Sequence, residues 1–299
     1  MKPLFEASPV SPDDAIAFVS GLAELAPRYD VILCDVWGVL HDGVVGFPAA
    51  RDALARFRAG GGTVVLVSNA PRPGHVVARQ LEKMDVVAHD AIVTSGDLTR
   101  KTVIERGDQT LYHLGPDRDL PIYDGVSVRF EGVDEADYVV CTGLLDDDTD
   151  TPEDYAPLLR RMRERDLWML CANPDLVVER GERLLYCAGA LAAAYEQLGG
   201  RTYYPGKPHQ PIYDEALAVA AQLRGSVPET RRVLAIGDAI RTDVAGGRAA
   251  GLDVLMIVRG IHAAEIGYEG GPLDAPRLKS WLASQAVRPT AVAPELTWD

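Results

Sequence analysis

Short apolar runs recur along the chain, and most of them stop on a polar residue. Val31–Cys34 stops at Asp35, Thr63–Val67 at Ser68, Ala91–Val93 at Thr94-Ser95-Gly96, and Val233–Gly237 at Asp238. Runs that are short, rich in β-branched residues and apolar throughout predict strands buried on both faces. Between them lie segments with apolar positions at helical spacing: 48–58, 74–84, 97–106, 152–165, 187–198 and 211–223. Further strands are predicted at 110–114, 137–142, 167–171 and 253–258. Strands alternating with helices at this pace predict βαβ units and an α/β fold, a doubly wound, Rossmann-like parallel sheet. Residues 1–10 read as an extended arm. Ser11-Pro12-Asp13-Asp14 then reads as a helix start, with Ile16, Val19, Leu22 and Leu25 at helical spacing and Pro27 as its stop. Thr242-Asp243 is expected to cap a short helix to Ala250, and the tail to hold one helix, Pro276 to Leu282.

Composition narrows the class. The chain has 299 residues, 47% of them hydrophobic, which is more core than one typical domain needs. A net charge of −14 argues against nucleic acid or an anionic membrane surface as a partner held by bulk charge. It also requires that a phosphate site be built locally, from backbone N–H groups, a lysine or a metal ion. The four cysteines form no CxxC pair and sit in apolar surroundings, which predicts buried free thiols in a reducing cytosol. The first residues lack the apolar stretch of a signal peptide, and no apolar run is long enough to span a membrane. The expectation is a cytoplasmic protein. The acids Asp146, Asp147, Asp148 and Asp150 read as a solvated loop rather than a second metal site, because their spacing matches no calcium loop.

In an open α/β sheet, ligands bind beyond the carboxyl ends of the strands. Four pieces of candidate chemistry stand at such ends or at helix starts. Asp35 ends one strand, Ser68 another, Lys207 opens a helix, and Asp238 ends a last strand with Asp243 five residues on. Alone, Asp238 and Asp243 could be helix caps, Ser68 a turn residue and Lys207 a surface lysine. In this order they form a constellation.

The constellation resembles the haloacid dehalogenase superfamily of aspartate-nucleophile phosphohydrolases. The matching strings are Asp35-Val36-Trp37-Gly38-Val39-Leu40, Ser68 in VLVSNA, Lys207 in GKP, and Asp238 with Asp243 in GDAIRTD. The insert between the second and third strings looks like the α/β cap of the class IIA branch, and DVWGVLHDG resembles one sub-branch of it. The resemblance implies a core of residues 1–96 and 201–299 and a cap of 97–200, with a homodimer through the cap allowed. It implies Asp35 as nucleophile, Lys207 as the charge that neutralises phosphate, and Ser68, Asn69 and their loop N–H groups as phosphate ligands. It implies Mg²⁺ held by Asp35, Asp238, Asp243 and the main-chain carbonyl of Trp37, and a small phosphorylated metabolite as substrate. The chemistry agrees with these roles. A carboxylate can take a phosphoryl group, and Mg²⁺ takes oxygen ligands.

One position departs from the pattern. The family's phosphatases carry a second aspartate two residues after the nucleophile as acid and base, and here Trp37 stands there. An indole N–H only donates. His41 and Asp42 are the nearest candidates to substitute. Three readings follow: a phosphatase working without the usual acid, a pseudoenzyme that binds a phosphorylated ligand, or a dehalogenase-like hydrolase. The intact GDAIRTD string argues against the third, since those enzymes do without Mg²⁺.

Overall fold

The structure, a computed structural model, describes residues 16–181 and 183–299. The chain divides into two compact units: residues 1–68, 78–93 and 213–299, and residues 69–77 and 94–212.

The first unit is built on a seven-stranded sheet. Its order is Ala17–Phe18, Ala291–Ala293, Asp253–Ile257, Val233–Gly237, Val31–Cys34, Thr63–Ser68, Ala91–Thr94. The pairings from Ala17–Phe18 across to Thr63–Ser68 are all parallel. Val31–Cys34 and Thr63–Ser68 are buried at every position, as the uninterrupted apolar runs predicted for strands covered on both faces. From Val31–Cys34 the chain goes one way to Thr63–Ser68 and Ala91–Thr94. It returns on the other side through Val233–Gly237. The order therefore reverses between these two central strands, the kind of switch point beyond whose carboxyl ends such sheets bind ligands.

The second unit carries a parallel five-stranded sheet: Arg201–Tyr203, Trp168–Cys171, Tyr138–Cys141, Thr110–Leu114, Arg129–Phe130. Helices Ala156–Glu164 and Ala188–Gln197 pack on it around Leu159, Met162, Leu191 and Tyr195. An antiparallel hairpin, Val177–Arg180 with Arg183–Tyr186, completes this unit. The expected boundaries at 96/97 and 200/201 differ from this division. Arg201–Tyr203 joins the second sheet because it pairs with Trp168–Leu170 in register, and Asn69 joins it through hydrogen bonds to Lys207.

Most predicted strands and helices lie within a residue or two of the observed ones. The helix expected from Ser11 to Pro27 is a correction. Its first residues and the arm 1–10 lie outside the described residues; the rest forms the strand Ala17–Phe18 and two single helical turns. Val19 N–H donates to Val292 O at 3.0 Å, so the edge of the sheet, not local periodicity, sets this backbone. Ala291–Ala293, Arg129–Phe130 and the hairpin were not anticipated. The short helix expected after Thr242 begins as a wide π-type turn, Ile240–Val244, before the α-helix Ala245–Ala249. None of the four cysteines is in a disulfide and all are buried, as expected. Among the described residues, no helix is long and apolar enough to cross a membrane.

Candidate active site

Register brings the first two carboxylates together. Cys34 pairs with Ile236 on the neighbouring strand, so Asp35 and Asp238 leave adjacent strand ends. Asp35 N–H donates to Ile236 O at 2.8 Å, which extends the pairing by one residue to Asp35. The π-type turn brings in the third. It swings Asp243 back, so that its Oδ2 accepts from Ala239 N–H at 3.1 Å. Such wide turns recur at functional sites. Carboxylate oxygens of Asp35, Asp238 and Asp243, all buried, lie within 4.8 Å of one another.

Three glycines make room for this cluster. A side chain on Gly237 would overlap the Asp243 carboxylate, and one on Gly38 or Gly260 would overlap that of Asp238. Gly38 and Gly260 also have φ of +78° and +142°, a region that disfavours other residues. Ile261 N–H donates to Asp238 Oδ2 at 2.8 Å and fixes its rotamer. Gly260 and Ile261 were not singled out in the sequence. The available signal was a glycine shortly after the strand Asp253–Ile257.

Three buried carboxylates are a hard-oxygen donor set, which fits Mg²⁺. The Trp37 carbonyl was the fourth expected ligand. Its indole is pinned by the loop: a Cβ on Gly43 would stand 2.5 Å from the ring, and the His41 ring meets it edge-on at 5.0 Å.

The two candidate substitute acids have structural duties in the same loop. His41 is 1% exposed, and its Nδ1 accepts from Gly43 N–H at 2.9 Å. Burial drives its pKa down to about 4 against the opposing pull of Asp42, so the ring is neutral at pH 7. Asp42 Oδ1 accepts from Val44 and Val45 N–H at 2.9 and 2.7 Å. Burial alone would raise Asp42, but these N–H groups outweigh it and leave its pKa below the ordinary value.

Within the second unit, Asn69 organises the lysine loop. Its Oδ1 accepts from Lys207 N–H at 2.7 Å, and its Nδ2 donates to Lys207 O at 3.1 Å and to Asp175 Oδ1 at 2.9 Å. Gly206 permits this closeness, since a Cβ there would stand 2.5 Å from Asn69 Oδ1. Lys207 is 3% exposed and Ser68, the last residue of its strand, 6%. The acids at 146–150 are engaged: Asp147 with Arg118, Asp148 with Arg180 and Arg183, Asp150 with Tyr155. They brace the hairpin and its neighbouring loop.

Comparisons with known proteins identify the family. A family model described as haloacid dehalogenase-like hydrolase matches residues 32–129, and one described as HAD-hydrolase-like matches residues 204–298. A crystal structure of a hydrolase of the haloacid dehalogenase-like family from Brucella suis 1330 is 48% identical, covers 93% of this chain and 100% of its own, and superposes with a TM-score of 0.83. The chain belongs to the haloacid dehalogenase-like hydrolase family. Among curated relatives, the ribonucleotide monophosphatase NagD of Escherichia coli K12 is 23% identical over 78% of this chain and 89% of its own length. The D-glycerol 3-phosphate phosphatase of Mycobacterium tuberculosis is 27% identical over 93% of this chain and 77% of its own.

Proposed function

We propose that the protein is a Mg²⁺-dependent phosphohydrolase acting on a small phosphorylated metabolite through an aspartyl-phosphate intermediate on Asp35. The observation that supports this most is the convergence of Asp35, Asp238 and Asp243 in a buried cluster. The relatives named as phosphatases support the reaction class.

In this reading Asp35 attacks phosphorus and displaces the leaving-group oxygen, which takes a proton from solvent; water then cleaves the aspartyl phosphate, releasing inorganic phosphate and the Asp35 carboxylate. Lys207, a compact point charge, offsets the charge of the transferring group. Ser68 and Asn69 with their loop N–H groups orient phosphate oxygens. Asp238, Asp243, Asp35 and the Trp37 carbonyl would hold Mg²⁺, which would supply positive charge to the phosphoryl oxygens. We assign residues 97–200 the role of cap and substrate selector.

Trp37 shapes the substrate class. It cannot protonate a leaving oxygen, and neither neutral His41 nor loop-bound Asp42 is suited to replace the missing acid. Substrates whose leaving groups need little protonation, acyl and aryl phosphates, are the ones this site can turn over. The test is hydrolysis of aryl phosphates of graded leaving-group acidity, with Mg²⁺ or with chelator. Expected is turnover that requires Mg²⁺, disappears in Asp35→Asn and falls steeply as the leaving group becomes less acidic. A wild type that binds phosphate without turnover, while Trp37→Asp gains it, would instead establish the binding protein. That second reading draws on the same pinned tryptophan.

A further inference from the structure

The segment that follows Ser68 is held on its main chain by the turn Thr94-Ser95-Gly96-Asp97. Gly96 N–H donates to Ala70 O at 3.0 Å, and Thr94 Oγ1 to Arg72 O at 2.7 Å. Gly74 N–H donates to Asp97 at 3.1 Å, and a Cβ on Gly96 would stand 2.5 Å from Arg72 N. The side chain of Arg72 has a different partner. Its Nε faces Asp119 Oδ1 at 3.4 Å, on the helical segment Asp117–Tyr123.

This pair is an expensive one. Asp119 is 2% exposed. Arg72 Nε, Asp119 Oδ1 and Thr142 Oγ1 are all buried without a hydrogen-bond partner. Burying a carboxylate and one nitrogen of a partly exposed guanidinium for an attraction without a hydrogen bond adds little to the stability of a fold. Apolar side chains of the same volume would serve stability better. What the pair does accomplish is to tie the one charged side chain of the Asn69–Gly74 segment to a buried, fixed anchor.

We propose that Asp119 is a positioning residue for the phosphate loop: its charge holds Arg72, and through Arg72 it keeps Asn69–Gly74 in the shape that receives an oxyanion. This rests on the reading of Ser68 and Asn69 as phosphate ligands. The tie is also sensitive to protons. Burial lifts Asp119 to about 6, with Arg72 and then Arg118 opposing it and Asp147 adding to the rise. Tyr123, on the same segment, is the remaining titratable group facing it. The carboxylate is charged above that value, where Arg72 is held, and neutral below it, where Arg72 is released.

The experiment compares wild type with Asp119→Asn from pH 5 to 8. KM and kcat for 4-nitrophenyl phosphate are measured with Mg²⁺, together with calorimetric binding of inorganic phosphate. At pH 7.5 the variant is expected to raise KM and the phosphate Kd about tenfold, the loss of one interaction to a charged group, with kcat little changed. The variant-to-wild-type ratio then closes toward one by pH 5, where wild-type Asp119 is itself protonated. Taking the ratio at each pH cancels the titration of phosphate. The variant's thermal midpoint at pH 7.5 is not lowered, because burial outweighs pairing at this carboxyl. Arg72→Gln is expected to show the same closing ratio, and it serves if Asp119→Asn does not fold. A ratio that stays constant with pH, or phosphate affinity equal to wild type at pH 7.5, overturns the positioning role alone. A wild type that neither hydrolyses the ester nor binds phosphate overturns the phosphate-loop reading and this role with it.

Discussion

Single residues carry the sharpest expectations about this molecule. Trp37→Asp restores a carboxyl where acid catalysis is wanted, and the rate on poorly activated phosphate esters is expected to rise by about 10²-fold, measured as kcat/KM against leaving-group acidity. Gly237→Ala forces the Asp243 carboxylate to move. The expected outcome is a Mg²⁺ affinity weaker by about tenfold or more in calorimetry, with the far-ultraviolet spectrum unchanged. His41 sets a pH dependence of stability. Its folded pKa is depressed to about 4 from an ordinary 6.5, so the unfolded chain binds more protons between those values. Stability therefore rises with pH across that window, by about 3 kcal/mol in all, and is complete above pH 6.5. His41→Asn keeps an acceptor for Gly43 N–H and is expected to remove that portion of the slope in denaturant melts. The three acids of the buried cluster, Asp35, Asp238 and Asp243, stand out in the sequence by their places at strand ends and a helix start. The glycines that clear their space do not, because a close approach between distant segments leaves no local pattern.

At the scale of elements, the central strands and most helices were legible because their patterns agree with their environments. A strand buried on both faces reads as an unbroken apolar run, and Val31–Cys34 and Thr63–Ser68 are such runs. The failures lie at edges. Ala17–Phe18 is exposed and pairs with Ala291–Ala293, so its backbone is decided by a partner at the far end of the chain. The hairpin Val177–Arg180 with Arg183–Tyr186 is short and half exposed, mixes apolar and charged residues without regular alternation, and its two arginines bind Asp148. The turn Thr94–Asp97 is both a helix cap and a clasp. Thr94 and Asp97 form a capping box on Ser95–Arg106, and Thr94 also donates to Arg72 O. Thr94→Val, which keeps the shape and loses both bonds, is expected to cost about 2 kcal/mol in denaturant unfolding.

For the whole molecule, the acidic balance and the buried carboxylates make one linked prediction. Mg²⁺ that binds the folded chain and not the unfolded one stabilises it by about 2.7 kcal/mol at a hundred times its Kd. The thermal midpoint is expected to rise with Mg²⁺, and Asp238→Asn to abolish the rise while leaving the midpoint without metal at or above that of wild type. This readout needs no turnover, so it tests the metal site apart from Trp37. Taken by itself, the amino-acid sequence determined the alternation of strands and helices, the parallel sheet and the order of Asp35, Ser68, Lys207 and Asp238, since each is a local or repeating feature. Only the tertiary structure decided which strands are neighbours, and with them the meeting of Asp35 with Asp238, the return of Asp243 over Gly237 and the burial of Asp119 against Arg72. The physical reason is that register and burial depend on contacts between segments far apart in the chain, while periodicity reports only each segment's own two faces.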